Sequence, residues 1–218
     1  MPKQKSIDPT IVDAASLFDA SEVIAERAAR SKVTIDYSKL RKRLDALRGQ
    51  SGWRLAQPNT IILSIDPNSE GQRRFQEMLH HSGFEIDVIH FRDTFVSVPP
   101  GRSPNEMTGK PIVSLATRMG YVAGLMARFD DPHLLLVSHS FELFGPLTDL
   151  KRRNTNSKVG IAYFGSLLDY RWKLAGLLDE KLDIEFFDLD PYSDELLGVD
   201  FASRASPAPD ARTGLSRF

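Results

Sequence analysis

Short apolar runs alternate with amphipathic helical patterns along most of the chain. Apolar or alternating runs predict strands, and apolar positions three or four residues apart predict helices. One run, Leu134–Val137, is apolar throughout, which is typical of a central parallel strand covered on both faces. The predicted strands are Pro9–Ala14, Thr60–Ile65, Glu85–Phe91, Leu134–Val137, Val159–Phe164 and Ile184–Leu189, and the predicted helices are Ser21–Arg30, Tyr37–Leu47, Glu70–Ser82, Lys110–Met126, Pro146–Arg153 and Leu167–Leu178.

This alternation predicts an α/β fold, a single doubly wound domain with a mainly parallel sheet of five or six strands. Asp36 is expected to cap the second helix and Gly49 to end it, while Gly83 ends the third. The domain is expected to span residues 8–192. Residues 193–218 are polar and rich in Pro, Ala and Ser, which predicts a flexible tail.

The composition restricts the function classes. With 28 basic and 29 acidic side chains the formal charge is −1, so an anionic partner must be met by a local patch. The absence of cysteine excludes a disulfide scaffold, a thiolate metal site and a cysteine nucleophile. Because the chain opens on polar sequence and contains no apolar run of membrane-spanning length, we expect a cytoplasmic protein without a membrane partner.

Candidate functional residues follow the predicted strands. Ligands of open parallel sheets bind beyond the carboxyl ends of the strands. Asp13 ends the first predicted strand, and the turn Ser138–Glu142 follows the fourth. Residues 92–109 form a long irregular segment with several prolines, and such segments often serve as contact surfaces.

A serine hydrolase is one interpretation of the Ser138–Glu142 turn. The run Leu-Leu-Val-Ser-His-Ser-Phe superficially matches a nucleophile elbow with Ser140 as the nucleophile. Glu142 stands where the elbow requires a small residue. That fold also needs its histidine after the serine, and none of the five follows Ser140: His80, His81, His90, His133 and His139.

A carboxylate metal site is a second interpretation. Asp13 and Glu142 are candidate ligands for one or two Mg²⁺ or Mn²⁺ ions, which hydrolyse phosphodiesters in many nucleases. An Asp at a strand end is also an ordinary helix cap. His139 is a candidate general acid or metal ligand because imidazole titrates near neutral pH, and the alternative is a hydrogen-bonding role in the turn.

The order of these motifs resembles the NYN domain of the PIN-like ribonucleases, in particular the bacterial LabA-like proteins. Val12–Phe18 is similar to the family's Asp-Gly-x-Asn strand end, and Val137–Leu147 resembles its Ser-Gly-Asp-x-Asp-Phe signature. Further similar segments within residues 10–165 are Ile35–Leu40, Glu70–Phe91, Lys110–Met126 and Lys158–Phe164. The resemblance implies a PIN-like fold, RNA as partner and a metal-dependent ribonuclease site.

The departures from the family pattern concern its metal ligands. Under the resemblance, Asp13 keeps the first acid and Glu142 stands in for a later one, with Ser138 at the edge of the site. Fewer anionic ligands imply weaker binding of Mg²⁺ or Mn²⁺ and less stabilisation of the phosphoryl charge. The other expected ligand positions hold Ser16, Ser114, Gly120 and Ser140, and His139 stands where the signature has glycine.

Three functions follow from these observations. The first is a degenerate NYN/PIN-like protein that binds RNA or a protein partner and has weak or no ribonuclease activity. The second is an active Mg- or Mn-dependent ribonuclease using Asp13 and Glu142. The third is a protein-interaction scaffold or homodimer without a nucleic-acid role. Basic residues at a helix end also complement the helix dipole, but the candidate RNA contacts are Lys110, Arg118, Lys151, Arg152 and Arg153.

Overall fold

The computed structural model describes residues 8–27, 33–53, 59–65, 69–90, 118–120, 124, 126, 128–129, 132–178 and 183–199. Its strands are β1 (Thr10–Asp13), β2 (Val33–Ile35), β3 (Asn59–Ile65), β4 (Phe84–His90), β5 (His133–Val137), β6 (Lys158–Tyr163), β7 (Ile184–Asp188) and β8 (Leu197–Val199). Its helices are α1 (Ala14–Arg27), α2 (Tyr37–Gln50), α3 (Glu70–His81), α4 (Phe144–Arg153), α5 (Tyr170–Leu178) and α6 (Ser193–Leu196), with 3-10 turns at Phe141–Leu143 and Asp190–Tyr192.

Six strands form one parallel sheet in the order β4-β3-β1-β5-β6-β7. The predicted doubly wound α/β class is therefore confirmed. In the middle of this sheet Val12 of β1 is in register with Ile61 of β3 on one side and Val137 of β5 on the other. The chain order reverses between β1 and β5, and the crevice beyond their carboxyl ends is where such sheets bind ligands.

Two hydrophobic layers cover the two faces of the sheet. Val12 points to the face covered by α1, α2 and α3, where it joins Leu17 in one buried cluster. Ile11 points to the opposite face and joins Leu147 of α4 and Trp172 of α5. A strand covered on both faces is expected to be mainly apolar, and all five residues of β5 are buried, four of them, Leu134–Val137, being apolar.

Helix α1 begins earlier than the sequence pattern predicted. It starts at Ala14, directly after β1, whereas the charged stretch had indicated Ser21. The Asp13 carboxylate accepts hydrogen bonds from the backbone N–H groups of Ala15 and Ser16 and thereby caps the helix. The residue predicted as a metal ligand is thus also the helix cap.

Helix α2 has the predicted start and a later end. The Asp36 side chain accepts a hydrogen bond from the backbone N–H of Lys39 at 3.0 Å, as expected of a helix cap. The helix continues through Gly49 to Gln50. The turn that follows uses Gly52 with a φ of 72°, a left-handed conformation that glycine adopts at little cost.

The segment 193–199 differs from the predicted tail, because it forms α6 and β8. Strand β8 pairs antiparallel with β2, and the backbone N–H of Asp36 donates to the carbonyl of Leu196 at 2.8 Å. Arg43 of α2 forms an ion pair with Glu195 and lies 3.8 Å from the ring centroid of Tyr192. These contacts hold residues 193–199 against β2 and α2. The polar composition of the segment did not indicate such packing.

A buried polar network lies at the amino edge of the sheet, opposite the carboxyl ends. The guanidinium of Arg48 donates to the backbone carbonyl of Asp8 at 3.2 Å and to the side-chain oxygen of Asn59 at 2.9 Å. The Asp8 carboxylate lies 2.8 Å from Nδ1 of His133, whose ring stacks on Trp53 at 5.0 Å. This network ties the starts of β1, β3 and β5 to the end of α2.

Candidate functional site

The carboxyl end of β1 carries a hydrogen-bonded cluster centred on Asp13. Asp13 is only 3% exposed. Its Oδ1 accepts from the backbone N–H of Ala15 at 3.1 Å and of Ser16 at 3.3 Å. Its Oδ2 accepts from the Ser16 hydroxyl at 2.5 Å and from the Ser138 hydroxyl at 3.0 Å. A carboxylate has about four lone-pair positions, so four protein donors saturate it.

Ser138 joins this cluster to the turn that follows β5. Its backbone N–H donates to the carbonyl of Ala162, which extends the pairing of β5 with β6, and its hydroxyl accepts from the backbone N–H of Ser140 at 3.2 Å. The hydroxyl oxygens of Ser16 and Ser138 are also 3.0 Å apart. When both hydroxyls donate to Asp13, no proton is left for the contact between the two hydroxyl oxygens, so at any moment two of the three contacts among Asp13, Ser16 and Ser138 are hydrogen bonds.

His139 and Asp19 lie beside this cluster at its solvent-facing side. His139 is half-buried, and burial lowers the pKa of its imidazole, while the negative charges of Asp13 and Asp19 oppose this shift. Partial desolvation raises the pKa of the Asp19 carboxyl, and the charge of His139 opposes that shift. Asp19 was missed by sequence reasoning because α1 was predicted to begin two residues after it.

We expect the free energy of unfolding to fall as the pH decreases through the titration range of His139. The folded-state pKa of His139 is lowered, so the unfolded chain takes up the proton at a higher pH than the folded chain. The stabilisation is therefore complete above the unfolded pKa and is lost as the pH falls. Urea unfolding at a series of pH values, compared with His139→Gln, measures this slope, which the variant should reduce.

Asp19→Asn is the companion variant for the pH experiment: it removes a charge that raises the pKa of His139, so the slope in the titration range of His139 should persist or become steeper. The pKa of Asp19 is raised in the folded state, so its protonation favours the folded chain as the pH falls further. Protonation of Asp19 therefore raises the free energy of unfolding as the pH falls, which is opposite to the effect of His139, and it does so at a more acidic pH. A pH slope that is unchanged in His139→Gln would contradict the assignment to His139.

Glu142 differs from Asp13 in its exposure. It is exposed on the 3-10 turn, whereas the next residue, Leu143, is fully buried and Asp13 is 3% exposed. The negative charge of Glu142 acts on Arg171 of α5. Within the ranges that the structure describes, no three His, Asp or Glu side chains gather as a group that could hold a metal ion. Asp13 and Glu142, predicted together as metal ligands, therefore have different surroundings, because Asp13 is buried and Glu142 is exposed.

The predicted basic contacts are dispersed. Arg118 forms an ion pair with Asp87 of β4 at 3.9 Å. Lys151 is buried, and its Nζ donates to the carbonyl of Ser157 at 2.6 Å. Burial lowers the pKa of Lys151, while Asp183 opposes the shift.

Helix α4 leads away from the carboxyl edge, so its basic last turn lies at the opposite edge of the sheet. Arg153 pairs there with Asp149 at 2.9 Å, and Arg152 is exposed. These residues are not brought together with Asp13. Gly120 is exposed on its helix, and Lys110 and Ser114 lie outside the described residues.

Acidic side chains accept hydrogen bonds from backbone N–H groups beyond the carboxyl ends of β6 and β7. The Asp188 carboxylate accepts from the backbone N–H groups of Gly165 at 3.1 Å and Asp190 at 2.9 Å. Asp190 in turn accepts from the backbone N–H of Ser166 at 2.9 Å. A Cβ at Gly165 would lie 2.6 Å from Oδ2 of Asp188, so the glycine makes room for this carboxylate.

An aromatic cluster follows the Ser138–Glu142 turn and was not predicted. Phe141 and Phe144 stack with ring centroids 5.0 Å apart, and both meet the ring of Trp172 edge-on at 5.3 and 5.7 Å. The guanidinium of Arg171 lies 4.8 Å from the centroid of Phe141. Trp172 is 1% exposed and packs in the core, whereas Tyr170 is 73% exposed.

The fold and the site define a doubly wound α/β domain with a closed Asp-Ser-Ser cluster at the reversal point of its sheet. No protein-family model, no curated protein and no solved structure matches the chain. The resemblance to NYN domains stays a prediction from the sequence. None of the helices in the described ranges is long and apolar enough to cross a membrane.

Proposed function

We propose that the chain is a degenerate NYN/PIN-like protein that binds single-stranded RNA at its carboxyl edge and hydrolyses it weakly or not at all. The observation that carries this proposal is the Asp13 carboxylate, whose two oxygens accept from four protein donors. Metal-dependent phosphodiester hydrolysis needs several carboxylate oxygens directed at Mg²⁺ or Mn²⁺. To bind such an ion, Asp13 would have to give up the hydrogen bond from the hydroxyl of Ser16 or of Ser138.

The same carboxylate affects where RNA is held. It occupies the N-terminus of α1, where free N–H groups would otherwise attract a phosphate. A phosphate there would meet the negative charges of Asp13 and Asp19. RNA at this edge is therefore held through its bases, and the exposed ring of Tyr170 next to Arg171 supports that mode.

The full chain is expected to bind a fluorescein-labelled single-stranded RNA in anisotropy titrations without cleaving it in the presence of Mn²⁺. Asp13→Asn is the matched variant for the cleavage assay, because it keeps the side-chain shape and removes the charge. Robust cleavage that Asp13→Asn abolishes would replace the proposal with an active metal-dependent ribonuclease using Asp13 and Glu142.

Arg153→Ala is the control for binding. Arg153 is exposed at the edge of the sheet opposite Asp13 and pairs with Asp149, so its loss should leave RNA affinity unchanged within about twofold. If the wild-type chain binds no single-stranded RNA, a protein-interaction role becomes the better account.

A further inference from the structure

We infer that Tyr170 and Arg171, whose guanidinium lies over the ring of Phe141, form a subsite on which a nucleobase of single-stranded RNA stacks. This inference rests on the proposed function and specifies how the RNA is held. Tyr170 is 73% exposed at the first position of α5, and the guanidinium of Arg171 lies 4.8 Å from the Phe141 centroid. Exposed aromatic rings beside a guanidinium are the elements that hold single-stranded nucleic acids through base stacking.

The subsite is held in place by its neighbours. Nε of Arg171 donates to both carboxylate oxygens of Asp169 at 3.0 Å, and Nη2 donates to Oδ2 at 2.6 Å. Phe141 is fixed between the rings of Phe144 and Trp172. A platform that is ordered before the ligand arrives loses less conformational entropy on binding, which favours stacking on these side chains over a mobile surface.

The charge balance of the subsite favours a base over a phosphate. Asp169 neutralises Arg171 through paired hydrogen bonds, and Glu142 adds a second negative charge nearby. An arginine engaged in this way retains a planar face for stacking and contributes little net positive potential. The chemistry therefore matches the uncharged, planar part of a nucleotide.

The experiment is an anisotropy titration of fluorescein-labelled oligouridylate and oligoadenylate with the full chain. Tyr170→Ala is expected to weaken binding about five- to a hundredfold, the range for loss of one aromatic stacking partner. Tyr170→Phe keeps the ring and should retain the wild-type affinity. Tyr170→Leu keeps an apolar surface without a ring and should resemble Tyr170→Ala. Since Tyr170 is largely exposed, these variants should fold normally.

Two contrary outcomes separate this inference from the proposed function. If the wild type binds RNA and Tyr170→Ala or Tyr170→Leu binds equally well, the stacking subsite is overturned and RNA binding at the carboxyl edge stands. If the wild type binds neither oligonucleotide, both are overturned, and the exposed face of Tyr170 and Leu174 is then to be tested with protein partners.

The salt dependence of binding gives a further readout. Base stacking without phosphate contacts predicts a shallow fall of affinity with salt, with a slope well below about 1 on logarithmic axes, because few counterions are released. A slope of several units that Arg171→Ala does not change would place the RNA on a phosphate-binding surface elsewhere and overturn the subsite.

Discussion

Arg48→Ala is expected to lower the free energy of unfolding by about 3–5 kcal/mol, as for other broken buried charge networks. The Arg48 residue is only 1% exposed, and its guanidinium binds the carbonyl of Asp8, the side chain of Asn59 and the carboxylate of Asp45. Truncation removes the hydrogen bonds that Arg48 donates to the buried Asp8 carbonyl and Asn59 side chain and opens a cavity. Urea or guanidinium unfolding followed by circular dichroism measures the change.

Arg74→Ala is the matched control for this experiment. Arg74 pairs with Glu70 one turn earlier on α3, and both side chains are well exposed. Exposed pairs of this spacing contribute about 0.3–0.5 kcal/mol. Arg48→Lys should fall between the two, since lysine keeps the charge and lacks the planar fork that reaches three acceptors. A loss for Arg48→Ala no larger than for Arg74→Ala would show that the network contributes nothing to stability.

The Arg48 network illustrates what the sequence could not predict. In the sequence Arg48 is one of several basic residues on α2 and looks like part of a solvated helix face. Its partners Asp8 and Asn59 come from distant segments and meet it only because β1 and β3 pair in register. The six strands of the parallel sheet could be predicted, because burial on both faces favours apolar runs such as Leu134–Val137, whereas the short strands β2 and β8 were not predicted.

The location of the site was predictable and its internal bonding was not. Asp13 and Ser138 follow predicted strands, and the carboxyl ends of parallel strands share one edge, so their proximity follows from the fold class. Their hydrogen bond, and the third partner Ser16, depend on α1 beginning at Ala14. The placement of the helix start at Ser21 hid this arrangement.

The exposure of Glu142 could not be predicted from the sequence either. Its place after the fourth predicted strand and the resemblance to NYN domains made it a candidate second carboxylate beside Asp13. The 3-10 turn buries Leu143 and exposes Glu142 near Arg171. The aromatic cluster has a similar cause, because Phe141 and Trp172 belong to separate helical segments that meet only where α4 and α5 pack on the same face of the sheet.

Asp13→Ala is expected to lower the free energy of unfolding by about 2–4 kcal/mol. The change removes the cap of α1, which contributes roughly 1 kcal/mol, and the acceptor of two buried hydroxyls. Ser16 and Ser138 lie 3.0 Å apart and can bond to each other, so only one of these hydroxyls loses its partner. Asp13→Asn keeps one oxygen acceptor and should lose about 1 kcal/mol. Thermal and chemical unfolding of the metal-free chain measure both.

The sign of this change separates a structural cluster from a metal site. Carboxylates gathered to hold a cation repel one another without it, so removing one of them stabilises the metal-free protein. In the cluster described here the charge of Asp13 is compensated by donors of the protein itself, so its removal destabilises. A gain in stability for Asp13→Ala, together with Mn²⁺ raising the unfolding temperature of the wild type alone, would mean that Asp13 serves a metal after all. A loss in stability with no shift on adding Mn²⁺ is the result expected of a carboxylate committed to Ser16 and Ser138.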